Sequence, residues 1–233
     1  MTGNPICSCG ISRIIAPSEA AGREQNMKTE TMLARVEEIL ASTSAEMFKD
    51  RLFKLEKELV KDVQMEFAKK DGRTSALTTI NRLLRDCKRN ELTKKFTHYA
   101  YINADGRQYI TDSYRAFRLN KPLKLEPRPE GLEPLDILDK HFPNNLSGYS
   151  IAQLPDSARL KELIAFNKAK LGKEYVRTCY NLTRDVGINA QYLLDLMSVF
   201  PDVTEVYYIN SVSPIYAVSA NGDAIICTLR VAK

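Results

Sequence analysis

The sequence of 233 residues has no tryptophan, only two histidines (His98 and His141), and no apolar run approaching the length of about 18 residues that a transmembrane helix needs. Its five cysteines are an odd number, with Cys7 and Cys9 close together and the others scattered. Such a pattern is not typical of a disulfide framework, so a reducing, cytoplasmic compartment is predicted. Too few histidines and cysteines stand at fixed spacing for a zinc site, and we expect neither a metal nor a cofactor.

Catalytic signatures are also missing. The sequence contains no G-x-S-x-G, P-loop, H-E-x-x-H or dinucleotide-binding fingerprint. His98 lies in an alternating segment, where a histidine is more often structural, and no pair of carboxylates stands out as a general acid and base. We therefore expect a binding protein and not an enzyme. An enzyme with an unrecognised site is the less favoured alternative.

The N-terminal region has a composition that differs from the rest of the chain. Residues 1–26 are rich in Gly, Pro, Ser and Ala, show no periodicity, and are predicted to be disordered. They lack the continuous apolar core of a signal peptide. Met27 stands directly before the first helical pattern and is a candidate start codon.

Residues 27–71 are predicted to form a helical hairpin. The second helix, capped by Ser44 and ended by Asp71-Gly72, repeats apolar residues at steps of three and four. This stripe is narrow, like the seam of a coiled coil. It could pack on the main domain or on a second copy of the chain, and the sequence does not rank the two.

Residues 72–233 have the pattern of one α+β domain. A helix from about residue 74 to 90 is predicted to bury Leu77, Ile80, Leu83, Leu84 and Cys87. Strands at 96–104 and 107–112 around the Asp105-Gly106 turn follow, and then a proline-rich connection over residues 121–149. The order continues with a helix that has Pro155 in its first turn and runs to about Leu171, and with a strand at 175–182. A short helix capped by Asn189 and three final strands, the last at 224–231, complete it. Helices on one side of an antiparallel sheet are predicted.

Positive charge is concentrated in one part of this domain. Residues 73–124 hold twelve Lys or Arg against four Asp or Glu, whereas residues 174–233 hold four against six. Arg82, Arg85 and Arg89 recur at helical spacing, with Lys88 beside them. This distribution favours a face for a polyanion, although a solvated basic surface explains the same charges.

The sharpest pattern in the sequence runs from Ile188 to Val231. It reads INAQYLLDLMSVF, then TEVYYINSVSPIYAVSANGDAIICTLRV. This segment resembles the last helix and strands of bacterial β sliding clamps, in which a Y-L-L-D helix precedes an E-V strand and an S-P-hydrophobic strand. The matching residues are Tyr192 to Asp195, Glu205-Val206 and Ser213 to Ile215.

Two weaker resemblances to the same family lie upstream. Thr111 to Arg115 resembles the T-D-G-x-R turn of clamps, and Leu154-Pro155 resembles the start of a clamp helix. The sequence departs from the family at Ser113, where the turn has glycine, and at Cys227-Thr228, where the last strand has Met-Pro. Residues 27–71 have no counterpart, and the chain holds one domain copy where a clamp ring takes six.

The resemblance implies a single DNA-clamp-like domain preceded by the helical hairpin. Clamp helices carry Lys and Arg that contact the DNA backbone without reading its sequence. If this role is carried over to the present sequence, the DNA-binding candidates are Arg82, Arg85, Lys88, Arg89, Arg159 and Lys161. Clamps also hold short peptides of replication proteins in a groove. The residues that correspond to the lining of that groove are Tyr114, Arg115, Leu229, Arg230 and Val231.

Two functions follow as expectations. The first is a clamp-like DNA-associated accessory protein of replication, carried by a phage or mobile element, that forms a homo-oligomer. The second is a protein-interaction module that keeps the clamp-derived fold, oligomerises through the helices of residues 29–70 and does not encircle DNA.

Overall fold

The computed structural model describes residues 30–42, 44–89, 99–126 and 136–229. The contacts divide the chain into two compact units, residues 1–62 and 63–233. The disorder predicted for residues 1–26 and the start codon predicted at Met27 lie outside the described residues. Of the described helices, none combines the length and the apolar character that crossing a membrane requires.

The first unit contains helix α1, residues 30–40, and most of helix α2, Ala45–Lys70. The Oγ atom of Ser44 accepts a hydrogen bond from the backbone N–H of Met47 at 3.2 Å, as the predicted N-cap requires. Arg51 on α2 donates to the backbone carbonyl of Glu38 at the end of α1, and Ile39 is buried. The hairpin predicted over residues 27–71 begins outside the described residues and stays a prediction as a domain.

The second unit begins on the last turns of α2. Gly72 adopts a φ of 66°, and its N–H bonds to the carbonyl of Lys69 at 3.1 Å, so it ends α2 as predicted. Helix α3, Thr74–Arg89, then buries Leu77, Ile80 and Leu83. These are three of the residues that the helical period assigned to the core.

The main sheet is antiparallel and has seven strands in the order β1-β2-β3-β9-β8-β7-β4. Two three-strand meanders meet at the β3–β9 pair, and each follows a helix along the chain, α3 for the first and α5 for the second. A separate two-stranded sheet pairs β5 with β6. The strands are β1 Tyr101–Ile102, β2 Gln108–Thr111, β3 Arg115–Leu119, β4 Ser150–Gln153, β5 Cys179–Asn181, β6 Gly187–Asn189, β7 Glu205–Tyr208, β8 Ile215–Ser219 and β9 Gly222–Ile226.

The two faces of the sheet carry different layers. Helices α3, α4 (Ser157–Leu171) and α5 (Ala190–Val199) pack with alternate strand residues in one large core that includes Phe117 and Ile226. The intervening residues of the strands, such as Tyr109 and Ala116, point to the other face and form a smaller cluster with Phe142. A 3₁₀ helix, Asp136–His141, lies beside that second cluster. Helices on one side of an antiparallel sheet confirm the predicted α+β class.

Several predicted boundaries were wrong. The last strand ends at Ile226 and not at Val231, because the backbone N–H of Cys227 bonds to Tyr114 and that of Leu229 to Gly187, away from β8. The strand predicted at 175–182 is only three residues long, and β4 and β6 were not predicted. Of the strand predicted at 96–104, residues 96–98 lie outside the described residues and only Tyr101–Ile102 pairs.

Candidate nucleic-acid interface

Three helices form the outer layer of the second unit, and α5 packs against both α3 and α4. The Oδ1 atom of Asn189 caps α5 by accepting from the N–H of Gln191 at 3.0 Å, as predicted. Leu193, Leu196 and Val199 turn into the core. Basic residues are absent from α5 and lie on α3 and α4, so the positive charge of this layer flanks its central helix.

Helix α3 presents three exposed cations. Arg85, Lys88 and Arg89 are all exposed, and Arg85 lies 3.9 Å from an equally exposed Asp86. Lys88 and Arg89 form no ion pair with any residue that the structure describes. These three predicted residues therefore stand open to solvent at the C-terminal end of α3, where cations also suit the helix dipole.

Helix α4 supplies a second group of cations. It begins after the N-cap Asp156, whose carboxylate accepts from the N–H of Ala158 at 3.1 Å, so Pro155 lies before the cap and not in the first turn as predicted. Arg159 and Lys161 are exposed, as are Lys168 and Lys170, which the sequence reasoning did not single out. Glu162 is the one acidic residue on this helix.

Arg82 occupies a different environment from its neighbours on α3. Its guanidinium donates to the carboxylate of Asp195 on α5, which is only 2% exposed. The amide of Gln191 also donates to the same carboxylate at 2.9 Å. Arg82 is therefore held in an ion pair between two helices, and its predicted contact with DNA stays a prediction.

Arg115 is the most deeply buried cation of the predicted site. It donates to Asp112 at 2.9 Å and to Asp195, and its guanidinium lies 4.3 Å from the ring centroid of Tyr192. Burial opposes the charge, but Asp112 and Asp195 outweigh it and raise the pKa of Arg115. With both carboxylates bound inside the domain, Arg115 ties β3 to α5, and its predicted place in a peptide groove stays a prediction.

The Thr111 to Arg115 turn has a local geometry set by its polar side chains. The carboxylate of Asp112 accepts from the N–H groups of Tyr114 at 3.0 Å and Arg115 at 2.9 Å. Ser113 has a φ of 72°, a conformation that glycine adopts without strain. The serine thus occupies a backbone conformation that usually favours glycine.

The predicted groove residues are partly brought together. Tyr114 is 56% exposed, and its carbonyl accepts from the N–H of Cys227 at 2.8 Å, so the turn adjoins the end of the last strand. Leu229 is half-buried and bridges to Gly187 instead of continuing β9. Arg230 and Val231 lie outside the described residues, so their predicted role is untested.

In the described part of the chain, no three His, Cys, Asp or Glu side chains come together as possible metal ligands. Cys87 is buried, and burial raises the pKa of the Cys227 thiol, with Asp112 adding to the shift. A thiol with a raised pKa is less nucleophilic at neutral pH.

Comparisons with known proteins add little to this geometry. No family model matches the chain, and no curated protein matches it. Among solved structures, it is similar to the Helicobacter pylori beta clamp bound to a DNA ligase peptide, with 13% identity and a TM-score of 0.26. The match covers 54% of this chain and 41% of that one, so the chain spans about two fifths of the length of the clamp.

Proposed function

We propose that this protein is a non-enzymatic, sliding-clamp-like accessory factor that associates with the phosphate backbone of duplex DNA without sequence specificity, in the replication of a phage or mobile element. The observation that supports the proposal is the pair of basic helices that flank α5 on one side of the sheet. Arg85, Lys88 and Arg89 on α3 and Arg159 and Lys161 on α4 are exposed there. The resemblance of Tyr192 to Asp195 and of the final strands to bacterial clamps points to the same function.

Distributed cations are sufficient for this kind of binding. A protein that neutralises phosphates releases condensed counterions, and the logarithm of the binding constant falls with the logarithm of salt concentration by about 0.9 per contact. Five contacts, without Arg82, give a slope of about −4.5. No hydrogen bond to a base is needed, and a change of DNA sequence leaves the affinity nearly unchanged.

The test is a titration of the full chain with short duplexes of unrelated sequence at several salt concentrations. The proposal expects equal affinities across sequences and a steep loss of binding as salt rises. A complete lack of binding at low salt, or a strong preference for one sequence, contradicts it. Retention on closed circular DNA compared with the same DNA linearised then tests whether an oligomer encircles the duplex.

A second candidate function is a protein-interaction module that oligomerises through its N-terminal helices and does not encircle DNA. It is favoured by one specific observation, the exposed apolar side chains along α2, which include Leu52 and Phe53 at 48% and 53% exposure. A chain that self-associates yet fails to bind DNA at low salt supports this second candidate. Short peptides of replication proteins remain proposed partners at Tyr114 and Leu229.

A further inference from the structure

Helix α2 carries a stripe of half-exposed apolar residues along one side. Its members are between 36% and 53% exposed and comprise Phe48, Leu52, Phe53, Leu59, Val60, Val63 and Phe67. Lys57 lies 4.1 Å from the ring centroid of Phe53, and Lys124 lies 3.2 Å from that of Phe67, so two of the rings are partly covered. The remaining surface has no cover within the described residues.

Seven large apolar side chains that are each about half exposed form a patch of the largest size that monomeric proteins commonly expose, about 300–600 Å². Burying two such stripes against each other removes about 1,000 Å², the size at which specific interfaces begin. The area therefore suits a second copy of the same helix.

The order of residues along the stripe determines which residues would meet if two copies of α2 paired. Its middle line follows alternating steps of four and three, which keep residues on one side of a helix. Apolar and charged residues share this line, in the order Ala45, Lys49, Leu52, Glu56, Leu59, Val63, Glu66 and Lys70. Phe48 flanks the line on one side, and Phe53, Val60 and Phe67 flank it on the other.

Charge then selects the direction of pairing. In a parallel pair, each of the four charged residues on the line faces its own copy, and all four contacts are repulsive. In an antiparallel pair centred between Lys57 and Glu58, residues equally far from that centre share a layer. This places Lys49 against Glu66 of the second copy and Leu52 against Val63 of the second copy. Glu56 then meets Leu59 of the second copy instead of another glutamate.

We propose that α2 is the dimerisation surface of this protein and that it pairs with α2 of a second copy in this antiparallel register. The pairing is isologous, so the Lys49–Glu66 contact and the Leu52–Val63 contact each occur twice. A charge pair inside an apolar seam fixes register at some cost in stability. The inference deepens the oligomerisation expected for both proposed functions and does not depend on DNA binding.

The experiment measures the mass of the full chain by sedimentation without DNA, over a range of protein concentrations. The wild-type chain is expected to dimerise. Lys49→Glu creates two Glu–Glu contacts per dimer and raises the dissociation constant by roughly tenfold. Glu66→Lys does the same, and the double variant K49E/E66K restores the wild-type constant, since the signs match again.

Lys61→Glu is the matched control, because Lys61 is exposed on the side of α2 away from the stripe and carries the same change of charge. It is expected to leave the dissociation constant unchanged. Leu52→Glu is expected to give a monomer, and far-UV circular dichroism checks that its helices remain folded.

Three outcomes overturn the proposal: a monomeric wild-type chain at every concentration, a double variant as weak as the single ones, or an equal loss in Lys61→Glu. A parallel pair is distinguished because neither single charge reversal changes it. Since no DNA is present, failure of the DNA-binding proposal leaves these outcomes unaltered, and failure here leaves the salt titration unaltered.

Discussion

Asp195 on α5 accepts a hydrogen bond from Arg115 at the start of β3, and both side chains are buried. The same carboxylate binds Arg82 of α3, so one acidic group joins two helices to the sheet. Asp112 binds the other side of Arg115 and balances the charge of the group. The orientation of α3, and with it the position of its exposed cations, depends on this buried network.

Replacing Asp195 with Asn is expected to destabilise the domain by about 3–5 kcal/mol, because Arg115 stays buried and loses one of its two carboxylate partners. Urea unfolding followed by circular dichroism measures the change in the free energy of unfolding. Asp86→Asn is the matched control: Asp86 lies on the exposed face of α3, 3.9 Å from Arg85, and its loss should cost under about 1 kcal/mol. Equal effects at the two positions contradict a structural role for the network.

The helices were predictable because their signals are local. Ser44 and Asn189 cap helices at the predicted positions, and Gly72 ends α2, each through a bond to a residue within three positions. The short strand β4 was missed for the opposite reason. Along β4 only Ala152 is buried, so no alternation appears, and pairing with distant β7 defines the strand.

The candidate site was predicted in part. Helical spacing placed Arg82 with Arg85 and Arg89, but its partner Asp195 lies 113 residues further along the chain. One signal was available: a carboxylate between Leu194 and Leu196 in an apolar helix needs a buried partner. Which of the many arginines supplies that partner depends on the packing of α3 on α5, and a single sequence does not give that.

The exposed cations of α3 are expected to carry part of the affinity for duplex DNA. The double variant R85A/K88A should lower the binding constant and reduce the salt slope by about 2, since two phosphate contacts are lost. Fluorescence anisotropy with a labelled duplex at several salt concentrations measures both quantities.

Lys140→Ala serves as the control for that loss of charge. Lys140 is exposed in the 3₁₀ helix beside the opposite face of the sheet, away from α3 and α4. Its removal should leave the salt slope nearly unchanged. Lys140→Ala removes one charge and R85A/K88A removes two. A fall in the salt slope half as large for Lys140→Ala would therefore indicate attraction by net charge alone and would count against the helical layer as the interface.

Tyr109 links stability to alkaline pH. Its hydroxyl donates to Asp139 and accepts from the amide of Asn103 at 3.3 Å; burial and the Asp139 bond raise its pKa to about 12. The folded pKa exceeds the unfolded value of about 10, so this contribution to stability is present below pH 10 and is lost as pH rises to 12.

Tyr109→Phe should therefore cost about 1 kcal/mol at neutral pH, from the lost hydrogen bond, and should reduce the fall in stability between pH 10 and 12. Denaturant unfolding at a series of alkaline pH values measures both effects. Tyr114→Phe is the control, since Tyr114 is 56% exposed. An unchanged alkaline slope in Tyr109→Phe would show that other groups control it.

Gly222 is a position where only glycine fits the sheet. It has a φ of 146°, and a Cβ atom there would lie far inside van der Waals contact with the backbone carbonyl oxygen of Arg118. The obstacle is the paired strand β3, which cannot move without breaking the β3–β9 ladder. Gly222→Ala is expected to destabilise the domain by more than about 3 kcal/mol.

Gly106→Ala is the control for backbone strain alone, because Gly106 has a φ of 82° and open space around it. This substitution should cost about 1–2 kcal/mol. Thermal unfolding of both variants measures the difference, and equal losses would show that the contact with Arg118 relaxes at little cost.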